Sequence, residues 1–250
     1  LELLFKALDL PIRPNYWDFQ TKITHQIDKK TTLTFLGIGA IDEFRFEAPR
    51  DATPEKLYTI NSNVLVNQWN YTIGVALKRN ITNGYWNLAL SRTDFNNDIE
   101  KYEDNQNPTA ANQSLDIVSA EKETKLRFDV NKNRNGCKIA YGASAQLANY
   151  SNTTFSVIRK EIRDNGGAIV QPAVSANFDS PLNNFLRLGA FVQAGKRFAA
   201  NRLGVSTGIR TDMNTFTTDG MNALQTLSPR ISFSYVLADK WTWNSSVGTY

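Results

Sequence analysis

The chain has 250 residues but one cysteine and one histidine. Cys137 alone excludes an internal disulfide and any cysteine-based metal framework. His25 alone excludes a multi-histidine metal site, and a hydrolase pairing serine with histidine would have to use that residue. It lies on the parity of Phe19 and Ile23 near a turn, which suits a ring at an interface better than a catalytic base. No apolar run approaches the roughly 18 residues of a membrane-crossing helix. A β-strand that crosses a bilayer needs only about 9–11 residues with every second one apolar, so that absence leaves a barrel open. Gly37-Ile38-Gly39 opens no helix, so it is not a phosphate-binding loop. Residues 1–4 carry neither a charged leader nor a cleavage site. The net charge is +4 and the pI about 9.1, with Lys and Arg spread along the chain rather than gathered into a nucleic-acid-binding arm. A mean hydropathy of −0.39 fits a polar-lumen barrel and a soluble β protein equally well.

What the chain does have is alternation. In residues 226–250, Leu227, Pro229, Ile231, Phe233, Tyr235 and Leu237 share one face and Ser228, Arg230, Ser232 and Ser234 the other, the period of a half-buried strand. After the turn 238–240, Trp241 and Trp243 share a face with Ser245 and Val247. Four earlier hairpins follow the same rule. The first covers 16–27 and 31–43, with Leu33 and Phe35 out of phase with Leu36, Ile38 and Ala40, which predicts a bulge near Gly37 or Gly39. The second covers 66–79 and 84–97, with Trp69, Tyr71, Ile73, Val75 and Leu77 on one side. The third covers 115–132 and 137–155 around Asn133-Arg134-Asn135-Gly136, and Asn-Gly is the strongest short hairpin signal. The fourth covers 183–198 and 202–214. Helix-period residues at 1–8 predict a short helix at the sheet edge, ended by Pro11 and Pro14. Thr53-Pro54 predicts a helix start, and 220–224 a helical turn. The segments 44–65, 98–114, 156–182 and 215–227 read as long polar connections.

The pattern predicts an all-β protein with about ten strands in five hairpins, joined within hairpins by short turns and between them by long links. Outer-membrane barrels show that asymmetry, with short periplasmic turns and long extracellular loops. The predicted fold is therefore a partial antiparallel transmembrane β-barrel, residues 1–250 forming one partial barrel domain cut from a longer chain. On this reading Trp69, Trp86, Tyr235, Trp241 and Trp243 are anchors at the lipid interface. Arg187, Arg197, Arg202, Arg210 and Arg230 line the lumen, facing either anionic solutes or acidic residues of a plug. The far ends of the third hairpin, polar on both faces at Glu121, Lys122, Asn149 and Asn152, project beyond the membrane. With both edges unpaired, the isolated segment is expected to aggregate in water.

Two stretches, LSPRISFSYVLADKWTWNSSVGTY at the end and residues 1–20 with 36–44 at the start, resemble the TonB-dependent outer-membrane receptors of the Bacteroidetes type. The first is similar to a late-barrel hairpin of that family, the second to an earlier periplasmic connection and hairpin. The resemblance implies a Gram-negative outer-membrane location and a barrel of about 22 strands. It also implies a plug domain, a TonB-type energy-coupling partner, and energised uptake of a scarce solute such as a ferric siderophore. It implies no catalysis and no cofactor, and nucleic acid is not an expected partner.

Two alternatives stand beside it. One is a passive outer-membrane diffusion channel. The other is a soluble carbohydrate-binding β protein, in which Leu188, Val192, Ile231 and Phe233 would be buried against a second sheet. Asp42, Glu43, Glu47 and Asp51 offer oxygens to a calcium ion, but Arg45 and Arg50 beside them favour a solvated, charge-balanced loop. Glu121 and Glu123 share a face with Lys125 and Arg127, which reads as an ionic ladder rather than an acid–base pair.

Overall fold

The computed structural model describes residues 2–47 and 49–249. Ten strands form one antiparallel sheet in chain order, broken by a single excursion. They are β1 (Ile12–Gln26), β2 (Thr31–Phe46), β3 (Leu65–Ile81), β4 (Gly84–Tyr102), β5 (Gln113–Arg134), β6 (Cys137–Arg159), β9 (Val174–Phe198), β10 (Leu203–Asn214), β11 (Leu227–Ala238) and β12 (Trp241–Gly248). The excursion is a small ribbon of β7 (Ile162–Arg163) and β8 (Ile169–Gln171) between β6 and β9. Among the described residues two helices lie outside the sheet, α1 (Glu2–Ala7) and α2 (Pro54–Ser62). Among the described residues no helix is long and apolar enough to cross a membrane.

The five tight turns all lie at one end of the sheet. At 135–136 both residues have positive φ, 52° for Asn135 and 73° for Gly136, the backbone a two-residue type I′ hairpin requires. At the opposite end lie the long connections, 47–64, 103–112, 160–173 and 215–226. There Thr53 caps α2 with Pro54 in its first turn, as the sequence predicts: the backbone N–H of Lys56 donates to the Thr53 hydroxyl at 3.4 Å. Asn105, from the next connection, donates to the carbonyls of Ile60 (2.6 Å) and Asn63 (2.9 Å), so that two loops brace one another.

Several sequence expectations need correction. The β1–β2 and β2–β3 ladders run without a register shift past Gly37 and Gly39, so there is no bulge. The alternation blurs because both faces of β2 are apolar here, and the glycines answer to crowding. A Cβ on Gly37 would meet Thr21 Cγ2 at 3.0 Å, and one on Gly39 the carbonyl oxygen of Asn70 at 3.1 Å. Much of 156–182 and 98–114 is strand: β6, β9 and β4 continue because their backbones still have a pairing neighbour, although their side chains are polar on both faces. Residues 220–224 form successive hydrogen-bonded turns (Asn222 N–H to Asp219 carbonyl, 2.8 Å) and not a helix. Finally, β1 starts opposite the end of β2, Ile12 beside Phe46. That puts residues 2–11 at the long-connection end, opposite the short turns expected to be periplasmic.

Hydrogen-bonded antiparallel partners point to the same side, so register assigns every side chain to a face. One face gathers Phe35, Val75, Leu90, Leu126, Ala145, Leu188, Val205, Ile231 and their neighbours, and most of its large side chains are exposed. The other is concave. It folds around two polar troughs, of about 1060 and 880 Å3. Among the described residues Ile60 and Val130 are the buried hydrophobic side chains. A sheet of this size with its apolar face turned outward has no aqueous core, and an apolar patch so extensive marks a membrane or protein contact.

Candidate solute-facing wall and lipid-facing band

The convex face is banded. On β3 the outward residues run Trp69, Tyr71, Ile73, Val75, Leu77, Arg79. From Trp69 to Arg79 is ten residues, about 33 Å of strand. At the roughly 40° tilt of barrel strands that is about 25 Å of height, the thickness of the apolar band of an outer-membrane barrel. Aromatic side chains mark both limits. Trp69 stands at the long-connection edge with Trp17 two strands away, and its ring stacks on Tyr71 at 6.0 Å and 5°. Trp86 lies at the short-turn edge, beside Arg79 and Val130. There too one row joins Phe198, Leu203, Tyr235 and Trp243, with Trp241 two residues nearer the turn. The five aromatics singled out from the sequence thus all occupy the edges of the band, Trp69 at one and the other four at the opposite one. His25 sits on this face beside Leu33, next to a tight turn.

Four of the five arginines singled out from sequence lie on the concave face. Arg210 holds Asp212 through two hydrogen bonds, of 2.5 and 2.7 Å. Both belong to β10, two residues apart and on one side. The pair lies over Gly189, where a Cβ would come within 3.0 Å of Asp212 Oδ1. Arg230 stands beside Gly208 on the neighbouring strand. Arg187 faces Asn214, with its guanidinium 5.2 Å from the Phe185 ring, and Arg197 lies opposite Gly204 nearer the short turns. Arg202 departs from the expectation. It sits in the turn before β10, and its guanidinium donates to the carbonyls of Val236 and Leu237 at 3.2 Å, 5.8 Å from the Tyr235 ring. The turn ends there, so the side chain ties two strand ends together instead of entering the trough.

Sequence reasoning did not single out Arg127, Lys138 and Asp129 as members of this wall. Arg127 pairs with Asp129 at 3.1 Å. Register carries Arg127 through Ser144 and Gly189 to Asp212, and Asp129 through Gly142 and Phe191 to Arg210. The smaller trough is thereby lined by Arg127, Arg210 and Arg230 with the amides of Asn131 and Gln193 and the hydroxyl of Ser232. The larger, nearer the tight turns, is lined by Lys138, Arg197 and a set of serines. The parity of β5 was legible. Which residues of distant strands share a row depends on three successive registers and was not.

Three carboxylates of the acidic cluster at the first long connection, Asp42, Glu43 and Glu47, are held by partners. Arg13 Nε meets Glu47 Oε2 at 2.7 Å, Arg45 pairs with Glu43, and Gln68 donates to Asp42 at 3.1 Å. Among the described residues no three His, Cys, Asp or Glu side chains are grouped to hold a metal ion. Glu123 accepts from Gln146 at 2.6 Å within the mixed ionic face of β5.

An apolar convex band between two aromatic edges, over a polar concave face, is one section of the wall of a large transmembrane β-barrel. No protein-family model matches the chain, and no curated protein matches it in sequence. Solved structures match it in fold. The copper transporter OprC superposes on 95% of this chain with a TM-score of 0.64 at 13% identity. The ferripyoverdine receptor of the outer membrane of Pseudomonas aeruginosa superposes on 94% with 0.64 at 11%, and the ferric citrate transporter FecA on 95% with 0.55 at 7%. The chain spans 37%, 35% and 36% of those proteins, respectively. At these identities the likeness is one of fold: the barrel of outer-membrane transport receptors, as the sequence resemblance implied. Nothing in it singles out the Bacteroidetes type.

Proposed function

We propose that this chain forms part of the barrel wall of a TonB-dependent receptor in a Gram-negative outer membrane, for energised uptake of a scarce solute such as a metal chelate. The observation that supports this reading most directly is the apolar convex band about 25 Å tall, edged by aromatics, on a sheet whose concave face is hydrophilic. Residues 1–250 are then a partial barrel domain, and the plug, the remaining strands and the contact with the energy-coupling protein belong to the rest of the receptor. The chain's own contribution is positional and involves no catalysis. The convex side chains hold the sheet in lipid, the braced loops around α2 shape the outer vestibule, and the concave arginines offer charged donors to an anionic solute or to plug carboxylates.

The test is uptake by cells that carry or lack the natural gene. Deletion should abolish uptake of one scarce solute. In wild-type cells, collapsing the proton-motive force should abolish uptake while leaving surface binding intact. Uptake that survives the collapse would establish a passive channel instead. A protein found in a soluble fraction, with Ile231 and Val192 protected from lipid, would establish a soluble β protein.

A further inference from the structure

The convex face carries one feature that a uniform lipid belt does not require. Between β1 and β3 runs an apolar groove of about 480 Å3, floored by Gly37 and Gly39 and walled by Phe19, Phe35, Trp69 and Tyr71. Along β2 it extends from Phe35, in the middle of the band, to Ile41, level in register with Trp69 at the band's edge. Its length is thus that of one leaflet, on the long-connection side. Next to it the apolar band stops short. On β4 the outward residues Trp86, Leu88 and Leu90 are followed by Arg92, Asp94 and Asn96. Arg92 contacts Asp94 at 3.3 Å and donates to the Thr124 hydroxyl at 2.9 Å. The Tyr71 hydroxyl, on the groove's own wall, donates to Asp94 at 3.4 Å. One strand further, in register with Asp94 and so at the band's margin rather than beyond the membrane as its strand-end polarity predicts, stands Lys122, which is exposed and among the described residues has no ion-pair partner. Charged side chains in a lipid-facing band are costly and mark sites of function.

We propose that this groove holds one lipid of that leaflet, with an acyl chain laid between Phe35 and Trp69 and an anionic phosphate headgroup drawn to Lys122 and Arg92. The proposal rests on the outer-membrane reading above. A membrane offers two cations at this height one abundant counter-ion, the lipid phosphate. The same molecule supplies the apolar chain that fills the slot left open over the two glycines. Asp94, 7% exposed and shared between Arg92 and Tyr71, orients the cationic side without facing the headgroup.

The experiment uses the full-length receptor in phosphatidylcholine vesicles, with every tryptophan but Trp69 replaced by Phe. Phosphatidylglycerol brominated on its acyl chains, at low mole fraction, should quench Trp69 with about fivefold higher apparent affinity than brominated phosphatidylcholine, the preference one basic residue confers on an anionic headgroup. Lys122→Gln should remove most of that preference, since Arg92 is already paired with Asp94. Gly39→Leu should reduce quenching by both, and a variant retaining only Trp243 should not discriminate. Equal quenching of Trp69 by the two lipids would overturn the proposal. So would a Trp69 shielded from both while Trp243 is quenched, which would place a protein partner in the groove. If Trp243 is not quenched either, the membrane-facing reading itself fails.

Discussion

Val75→Arg is the substitution that weighs most on the account. Val75 points outward from the middle of β3, between Phe35 and Leu90 on the flanking strands, and is 39% exposed in the isolated chain. If that exposure is to hydrocarbon, an arginine there costs about 2–4 kcal/mol, falling to about 0–1 near the interfaces. In the folding equilibrium that is roughly a 30- to 700-fold loss. Arg79, two positions beyond Leu77 on the same face, lies at the band's limit, where that cost is smallest, and reaches Thr31 at 3.2 Å and Asp28 at 3.8 Å. A scan placing arginine at 69, 71, 73, 75 and 77 should therefore give a profile that peaks at 73–75. The control is Ala76→Arg, which points into the concave side beside Thr34 and Ala89 and should stay within about 0.5 kcal/mol. The assay is reversible urea unfolding of the full-length protein from phospholipid vesicles. A costly Ala76→Arg beside a neutral Val75→Arg would reverse the two faces and refute the reasoning.

Three further outcomes follow from the loops and turns. Asn105→Ala removes the donors to the Ile60 and Asn63 carbonyls. It should cost about 1–3 kcal/mol locally, seen as faster amide exchange in α2 and proteolytic nicking within 47–64, with the barrel intact. Ala199 and Ala200 both have φ of 52°, which is unfavourable for a residue with a Cβ. Ala200→Gly should raise stability by about 0.5–1 kcal/mol, the relief of left-handed strain less the entropy of glycine in the unfolded chain, and a lower urea midpoint would contradict it. Asp28, in the first tight turn, is held below the ordinary aspartate value of 3.8 chiefly by the backbone N–H of Lys30, helped by the Thr31 hydroxyl. Its folded pKa is depressed, so its contribution is present above about pH 4 and is lost as pH falls through the lowered value. An NMR titration of its carboxyl should show a midpoint below 3.8, and a midpoint at or above that value would remove the turn's role.

How far the sequence reveals this molecule depends on which signals are local. Alternation along one strand is local, so the outward set from Trp69 to Leu77 and the inward parity of Arg210 and Arg230 were legible. Turn chemistry is local too, and Asn135-Gly136 and Thr53-Pro54 sit where their residue types require. Where a strand keeps its partner after its side chains turn polar, as β9 does beside β6 at 174–180, the cause is backbone pairing, which composition does not record. Arg202 shows the same limit from the other side. Counting by twos from Gly204 makes it inward, but the strand ends at Leu203 and the side chain follows the turn. The Arg92–Asp94 pair breaks the apolar pattern outright, and only registers on both sides show that Tyr71 and Lys122 stand next to it. The basic concave wall spans β5, β6, β9, β10 and β11, and no motif within one strand announces it.

The most direct test of the central claim, that the convex face meets lipid and the concave face water, is a nitroxide scan of residues 72–77 in the full-length protein in bilayers. Collisions with dissolved oxygen should exceed those with a water-soluble nickel chelate at Ile73, Val75 and Leu77, and the reverse should hold at Thr72, Gly74 and Ala76. The opposite phase, or oxygen access low at all six positions because the apolar face is buried against protein, would contradict the account.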